Sequence, residues 1–187
     1  MRVIAGGLGG RRLVAPKGRT TRPTTDRVRE AIFSILGGVT DARVCDLFAG
    51  SGALGIEALS RGAAHAVFVE SDRAALMSLR QNLAALQLES RSAVIGIPLE
   101  RAGAQLARFP PFDLVLCDPP WANLAPAVRA LERVLAGRLA EDARLVLEHA
   151  AEAKPELAPE LGFQLTSRRS WGDSGASFFG RKPGEGP

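Results

Sequence analysis

The sequence predicts a doubly wound α/β fold on a mostly parallel sheet, and three observations predict it. From residue 42 onward, apolar runs of strand length alternate with longer stretches of helical periodicity, the pattern of parallel strands joined by right-handed crossovers. A glycine turn, Ala49-Gly50-Ser51-Gly52, follows the first of these runs, where such sheets receive a ligand. The fourth run, Phe112-Asp113-Leu114-Val115-Leu116-Cys117, reads as a strand buried on both faces and ends in Asp118-Pro119-Pro120-Trp121. At 187 residues the chain supports one domain with a full core.

The elements follow in order. Residues 2–15 read as two short strands, Arg2-Val3-Ile4-Ala5 and Arg12-Leu13-Val14-Ala15, around Gly6-Gly7-Leu8-Gly9-Gly10: a glycine-bearing hairpin with an arginine-rich rim. Arg22-Pro23-Thr24-Thr25-Asp26 starts a helix, with Thr as N-cap and Asp in the first turn. Val28, Ala31, Ile32, Ile35 and Leu36 form its apolar stripe, and Gly37-Gly38 closes it. Strands are expected near 43–48, 65–70, 92–97, 112–118 and 143–148, and helices near 53–61, 73–87, 98–107, 124–136 and 153–161. At the end, Phe163-Gln164-Leu165-Thr166 and Ala176-Ser177-Phe178-Phe179 flank Gly172-Asp173-Ser174-Gly175. That leaves no room for a crossover helix, so the closing pair must be antiparallel. Residues 1–38 thus read as a basic hairpin and helix, and 39–182 as the sheet domain.

Composition narrows the class. Hydrophobic content of 46% and charged content of 24% are ordinary for a soluble globular protein. Cys45 and Cys117 both fall in buried strands, as small core residues in a reducing compartment. No zinc-ligand spacing exists, His65 and His149 stand apart, and no metal is expected. Without a signal peptide or a bilayer-length apolar stretch, the expected location is the cytoplasm. Charge is unevenly placed: residues 1–30 hold eight basic and two acidic side chains, the remainder sixteen and eighteen. Arginine outnumbers lysine 21 to 3, and guanidinium forks suit phosphate and stacked bases. A solvated surface explains such an arm as well as a nucleic-acid contact does.

Gly50, Gly52 and Gly55 satisfy G-x-G-x-x-G, so a nicotinamide-dependent oxidoreductase must be weighed. Glu70, at the second strand's end, suits a ribose diol in either a dinucleotide or S-adenosylmethionine. Asp46 beside the turn decides between them, since a carboxylate there repels a pyrophosphate and suits a cationic amino group. At Asp118-Pro119-Pro120-Trp121 the prolines fix the chain's exit from the strand and delay helix. One rigid corner then offers a carboxylate, the Pro119 carbonyl and a flat indole. An exocyclic nucleobase amine needs two acceptors and a stacking platform.

On these residues the chain resembles the class I S-adenosylmethionine-dependent amino-methyltransferases. Arg22 to Glu30 and the closing Trp171-Gly172-Asp173-Ser174 are more narrowly similar to the RsmD-type enzymes, which methylate guanine N2 in bacterial small-subunit (16S) ribosomal RNA. The resemblance runs from Arg2 to about Lys182 and implies a Rossmann-like, seven-stranded sheet with an antiparallel last strand. It further implies Asp118, Pro119, Pro120 and Trp121 as the catalytic corner. Asp46, Phe48, Gly50, Gly52, Glu70, Ser71, Ile97 and Pro98 would surround the cofactor, and Arg11, Arg12, Arg22, Arg27 and Arg29 would contact RNA. Two departures stand out: Trp121 occupies a position where Phe or Tyr is more usual, and Gly96-Ile97-Pro98-Leu99 lacks an acid or amide for adenine. The expected partner is ribosomal RNA or a small-subunit particle, bound by a monomer without membrane or metal. A DNA adenine-N6 or cytosine-N4 methyltransferase would use the same tetrapeptide, but 187 residues leave no room for a target-recognition segment. A protein-amide methyltransferase favours Asn where Asp118 stands. A non-catalytic ribosome-assembly module has no reason to keep Asp46, Glu70 and Asp118 together.

Overall fold

A computed structural model of the chain describes residues 1–16 and 25–181. Seven strands form one sheet: β1 (Arg43–Leu47), β2 (His65–Val69), β3 (Ser92–Ile95), β4 (Phe112–Cys117), β5 (Leu139–Ala150), β6 (Phe163–Trp171) and β7 (Ser174–Arg181). Their order is β3-β2-β1-β4-β5-β7-β6. The first five run parallel, and β7 lies antiparallel between β5 and β6. The helices are α1 (Asp26–Leu36), α2 (Ala53–Ser60), α3 (Arg73–Ala85), α4 (Gly103–Leu106) and α5 (Leu124–Leu135). No described helix is long and apolar enough to cross a membrane.

Strand alternation divides the core into two layers. Val44, Phe68, Leu114, Leu116 and Val146 face α1, α2 and α3. Leu47, Val69, Val115, Cys117, Leu145 and Leu147 face α4 and α5. Cys45 and Cys117 are buried free thiols, and burial pushes both thiol pKa values well up. Two glycines let α2 approach the sheet: a Cβ on Gly55 would stand 2.4 Å from the Phe68 ring, and one on Gly52 2.4 Å from Leu79 Cδ1.

The structure corrects the sequence reading at five elements. The amino-terminal hairpin shrinks to one antiparallel bridge, Arg2 to Arg12. Its remaining donors go elsewhere: Ile4 and Ala5 donate their N–H groups to the Glu57 carboxylate at 2.7 and 3.1 Å, and Val14 donates to Asn82 Oδ1 at 2.8 Å. In α1, Thr25 caps as expected by accepting from Val28 N. Its buried face, however, carries Arg29 and Phe33, while Ile35 is 41% exposed. The expected helix over 98–107 breaks into a 3-10 turn at Leu99–Arg101 and the short α4. No α-helix forms over 153–161, because Pro155 and Pro159 each lack the needed N–H; only a 3-10 turn, Pro159–Leu161, survives. β5 is longer than expected, starting at Leu139.

The arm is stitched onto the sheet domain. Val3 and Leu13 are buried in the same cluster as Ile32, Phe33, Ile56 and Leu59. Removing residues 1–20 would open that core, so the arm is built into the fold and is not a separable appendage.

Candidate active site

The exits of β3, β2, β1 and β4 line up along the sheet's carboxyl edge and gather the acids. After β1 the chain turns sharply: Phe48 adopts φ 57°, a left-handed conformation unusual for a side-chain-bearing residue, followed by Gly50 at 58° and Gly52 at 84°. Ala49 N donates to Val69 O at 3.0 Å and Gly52 N to Ala49 O at 2.7 Å, which closes the turn. A Cβ on Gly50 would meet nothing within 4 Å, so this turn is open on its ligand side while Gly52 and Gly55 are tight beneath it.

Glu70 braces the turn. Its Oε2 accepts from Gly50 N at 2.8 Å, and its Oε1 accepts from Ser71 N and Asp72 N at 2.7 Å each. Three of about four lone-pair sites are thereby used. Asp46 is buried beneath the same turn, with Oδ2 accepting from Gly55 N at 2.9 Å. Burial pushes its pKa up to about 8; the Gly55 N–H opposes this, and the charges of Asp118 and Glu70 add to it. Ser71 is exposed at the surface of this edge. Ile97 is half-buried and the exposed Pro98 caps the next 3-10 turn; both lie beyond β3, whose Ile95 O accepts from Glu70 N at 3.2 Å.

One strand over, Cys117 pairs with Leu47, and Asp118 N reaches Leu47 O at 3.4 Å. Asp118 is half-buried. Pro119 is buried and Pro120 holds extended backbone (φ −56°, ψ 122°), after which Trp121–Asn123 forms a 3-10 turn. Trp121 stands 37% exposed at the mouth of this corner. The arrangement sets a carboxylate at the exit of β4, beside the end of β1, with an exposed indole three residues further on.

The expected arginines do not act as one set. Arg11 is exposed and donates through Nη2 to Ala85 O at 3.2 Å, capping the end of α3. Arg12 and Arg27 are exposed. Arg22 lies outside the described residues. Arg29 leaves the surface set altogether: it is 0% exposed, with Nη2 donating to Arg2 O at 2.5 Å and to Asp26 Oδ1 at 2.9 Å, and Nε 3.8 Å from Glu57. Phosphate cannot reach it without unpacking α1.

Sequence reasoning missed two buried acids. Glu57 accepts from Ile4, Ala5 and, at 2.7 Å, Arg61 Nε. A lone acid in the otherwise apolar Ala53-Leu54-Gly55-Ile56-Glu57-Ala58-Leu59 was the available signal, because a helix apolar all round is buried and its acid needs partners. Glu148, 3% exposed, follows Leu147, which pairs with Cys117, so it stands beside Asp118 at the same edge. Among the described residues no group of three or more His, Cys, Asp or Glu could hold a metal ion.

Comparison with known proteins places nearly the whole chain in one family. A family model described as "Conserved hypothetical protein 95" matches residues 1–180. The chain is 39% identical to "Putative rRNA methyltransferase YlbH" of Bacillus subtilis, over 97% of this chain and 100% of that one. It is 37% identical to "Ribosomal RNA small subunit methyltransferase D" of Escherichia coli strain K12, over 94% of each. A solved structure described as the "putative methyltransferase yhhF" from Escherichia coli superimposes with a TM-score of 0.80 at 37% identity, covering 98% of both chains.

Proposed function

The chain belongs to the Conserved hypothetical protein 95 family, and on that premise we propose that it methylates the N2 amine of a guanine in small-subunit ribosomal RNA. It is an S-adenosylmethionine-dependent rRNA methyltransferase. One observation carries an exocyclic base amine as the target: Asp118 and an exposed Trp121 share a proline-stiffened corner after β4. The choice of guanine N2 within that class rests on the likeness to small-subunit rRNA methyltransferase D.

The turn suits the cofactor. Gly50 leaves space above the backbone, Asp46 and Glu70 lie below, and this acidic floor disfavours a pyrophosphate. Asp46 would face the cofactor's ammonium group and regain its charge there. Glu70 would offer its remaining lone pair to the ribose while still holding Gly50. Phe48, Gly52, Ser71, Ile97 and Pro98 complete the set, with adenine held by apolar contact and backbone groups near Ile97. When bound, S-adenosylmethionine supplies a methyl group already activated on sulfonium.

The protein therefore mainly aligns a nitrogen lone pair, which can lower a barrier by several kcal/mol without acid–base chemistry (roughly 7–11 at the upper end). The Asp118 carboxylate and the Pro119 carbonyl accept the two amine hydrogens and orient the lone pair. As positive charge develops on nitrogen, Asp118 stabilises it and takes the proton. Trp121 stacks the base once it has left its neighbours. Residues 1–38 form the RNA-contacting extension, with Arg11, Arg12, Arg22 and Arg27 on phosphate, and 39–182 form the methyltransferase domain. The protein works as a monomer in the cytoplasm, on rRNA or a small-subunit particle.

The test is transfer of labelled methyl from S-adenosylmethionine to rRNA, free and in small-subunit particles, with nucleoside identification. N2-methylguanosine is the expected product. Methylated adenine or cytosine, or transfer to DNA instead, would replace this reading.

A further inference from the structure

Arg2 and Arg12 oppose each other across the single bridge that joins the two halves of the amino-terminal arm. Val3 N donates to Arg11 O at 2.9 Å and Leu13 N to Met1 O at 3.1 Å. That pattern makes Arg2 and Arg12 a non-hydrogen-bonded antiparallel pair, with Cα atoms about 4.5 Å apart and both side chains on one face. Like charges in this relation destabilise a strand pair. The neighbouring carboxylate does not relieve it. Asp26 lies 3.4 Å from Arg2 Nε, but its charge is already shared with the buried Arg29, 2.9 Å away. Arg12 makes no ion pair among the described residues. Both arginines line an open cleft of about 530 Å³ together with Met1, Gly10, Leu13 and Asp26. A Cβ on Gly10 would meet nothing within 4 Å, so the cleft is open there.

We propose that this cleft is a phosphodiester site, in which one phosphate of the substrate RNA strand sits between Arg2 and Arg12 and is shared by both guanidiniums. The site rests on the proposed RNA substrate and adds Arg2, which the charge pattern alone does not single out. A shared anion turns a repelling pair into a bridged one, and guanidinium forks match phosphate oxygens two at a time. Asp26, neutralised by Arg29, holds Arg2 Nε and leaves the terminal nitrogens of Arg2 for the anion.

The test is the salt dependence of binding to transcribed small-subunit rRNA, measured on the wild-type chain, Arg2→Ala, Arg12→Ala and the double variant. Each single variant should bind RNA roughly tenfold or more weakly. Each should also flatten the slope of log affinity against log salt by somewhat under one unit, about 0.7–0.9 per phosphate lost. The double variant should flatten it no further, because a single phosphate is lost. S-adenosylmethionine affinity should hold in all three, and the melting temperature should not fall, since each substitution relieves the repulsion across the bridge. Slopes that add in the double variant would show two independent surface contacts and overturn the shared site; unchanged RNA affinity would overturn it too. Inorganic phosphate is the control probe: a melting-temperature rise with phosphate that the double variant loses, with RNA affinity unaffected, would make this a free-anion site and also overturn the proposal. Methyl transfer on the same preparations separates this site from the function it rests on. Absence of N2-methylguanosine from the wild-type reaction would sink the proposed activity, whereas the slopes alone decide the cleft.

Discussion

The Glu70 carboxylate holds the Gly50 amide at 2.8 Å across the gap between the ends of two neighbouring strands. One acid therefore shapes the turn that it also borders, and the loop keeps its left-handed residues because Glu70 and the Ala49–Val69 bond fix it from the side.

Glu70→Ala should accordingly cost more than one ribose contact. Loss of a charge-assisted hydrogen bond alone costs about 1.5–3 kcal/mol of cofactor binding. Releasing Gly50, Ser71 and Asp72 should add to that and lower the melting temperature. Glu70→Gln keeps an acceptor and should fall between. Calorimetry with S-adenosylmethionine, paired with thermal melts, reads both effects; unchanged affinity in Glu70→Ala would remove Glu70 from the site.

Asp46 gives a pH signature. Its carboxyl ionises near the ordinary 3.8 when unfolded and near about 8 in the fold. Between those values the folded state binds the extra proton, so this group's stability contribution falls as pH rises and levels off above about 8. Asp46→Asn lacks that slope. In cofactor-free protein its stability advantage should grow from about pH 5 to about pH 8 by on the order of a few kcal/mol, read as a widening difference in melting temperature. It should at the same time bind S-adenosylmethionine more weakly. A melting-temperature difference flat across this range would mean that Asp46 is ionised in the fold.

The arm should report on stability first. Glu57→Ala removes the acceptor for Ile4, Ala5 and Arg61 and takes from the buried Arg29 one of its two carboxylate partners, leaving Asp26. Breaking a buried pair from one side costs roughly 3–5 kcal/mol. Truncation of residues 1–20 should likewise lower the melting temperature, since Val3 and Leu13 leave the core. A truncated chain that melts like the full one would show the arm to be separable after all.

What the sequence disclosed follows from what each residue type signals. Asp46, Glu70 and Asp118 were legible because strand ends fix them: once the apolar runs were seen, the acids at their exits had to share one edge. Arg29 was not, because an arginine in a basic stretch reads as surface, and its burial depends on partners that the fold assembles, the Arg2 carbonyl, Asp26 and the distant Glu57. The helix expected over 153–161 failed on information already present, two prolines outweighed by composition. The long β5 was hidden because Glu141 and Asp142, exposed at its start, break the apolar run that marks the other strands.

Trp121→Ala should impair methyl transfer severely and Trp121→Phe only mildly, stacking being worth about 1–3 kcal/mol per base. Single-turnover rates on rRNA read this directly. Equal loss in both variants would point to a requirement for the indole itself.

The central claim is that Asp118 acts on the target amine and not on the cofactor. Single-turnover methyl transfer to rRNA by Asp118→Ala, measured beside its S-adenosylmethionine affinity, tests this most directly. The predicted result is abolished N2-methylguanosine formation with cofactor affinity and fold largely intact. Near-normal turnover in Asp118→Ala would contradict the account.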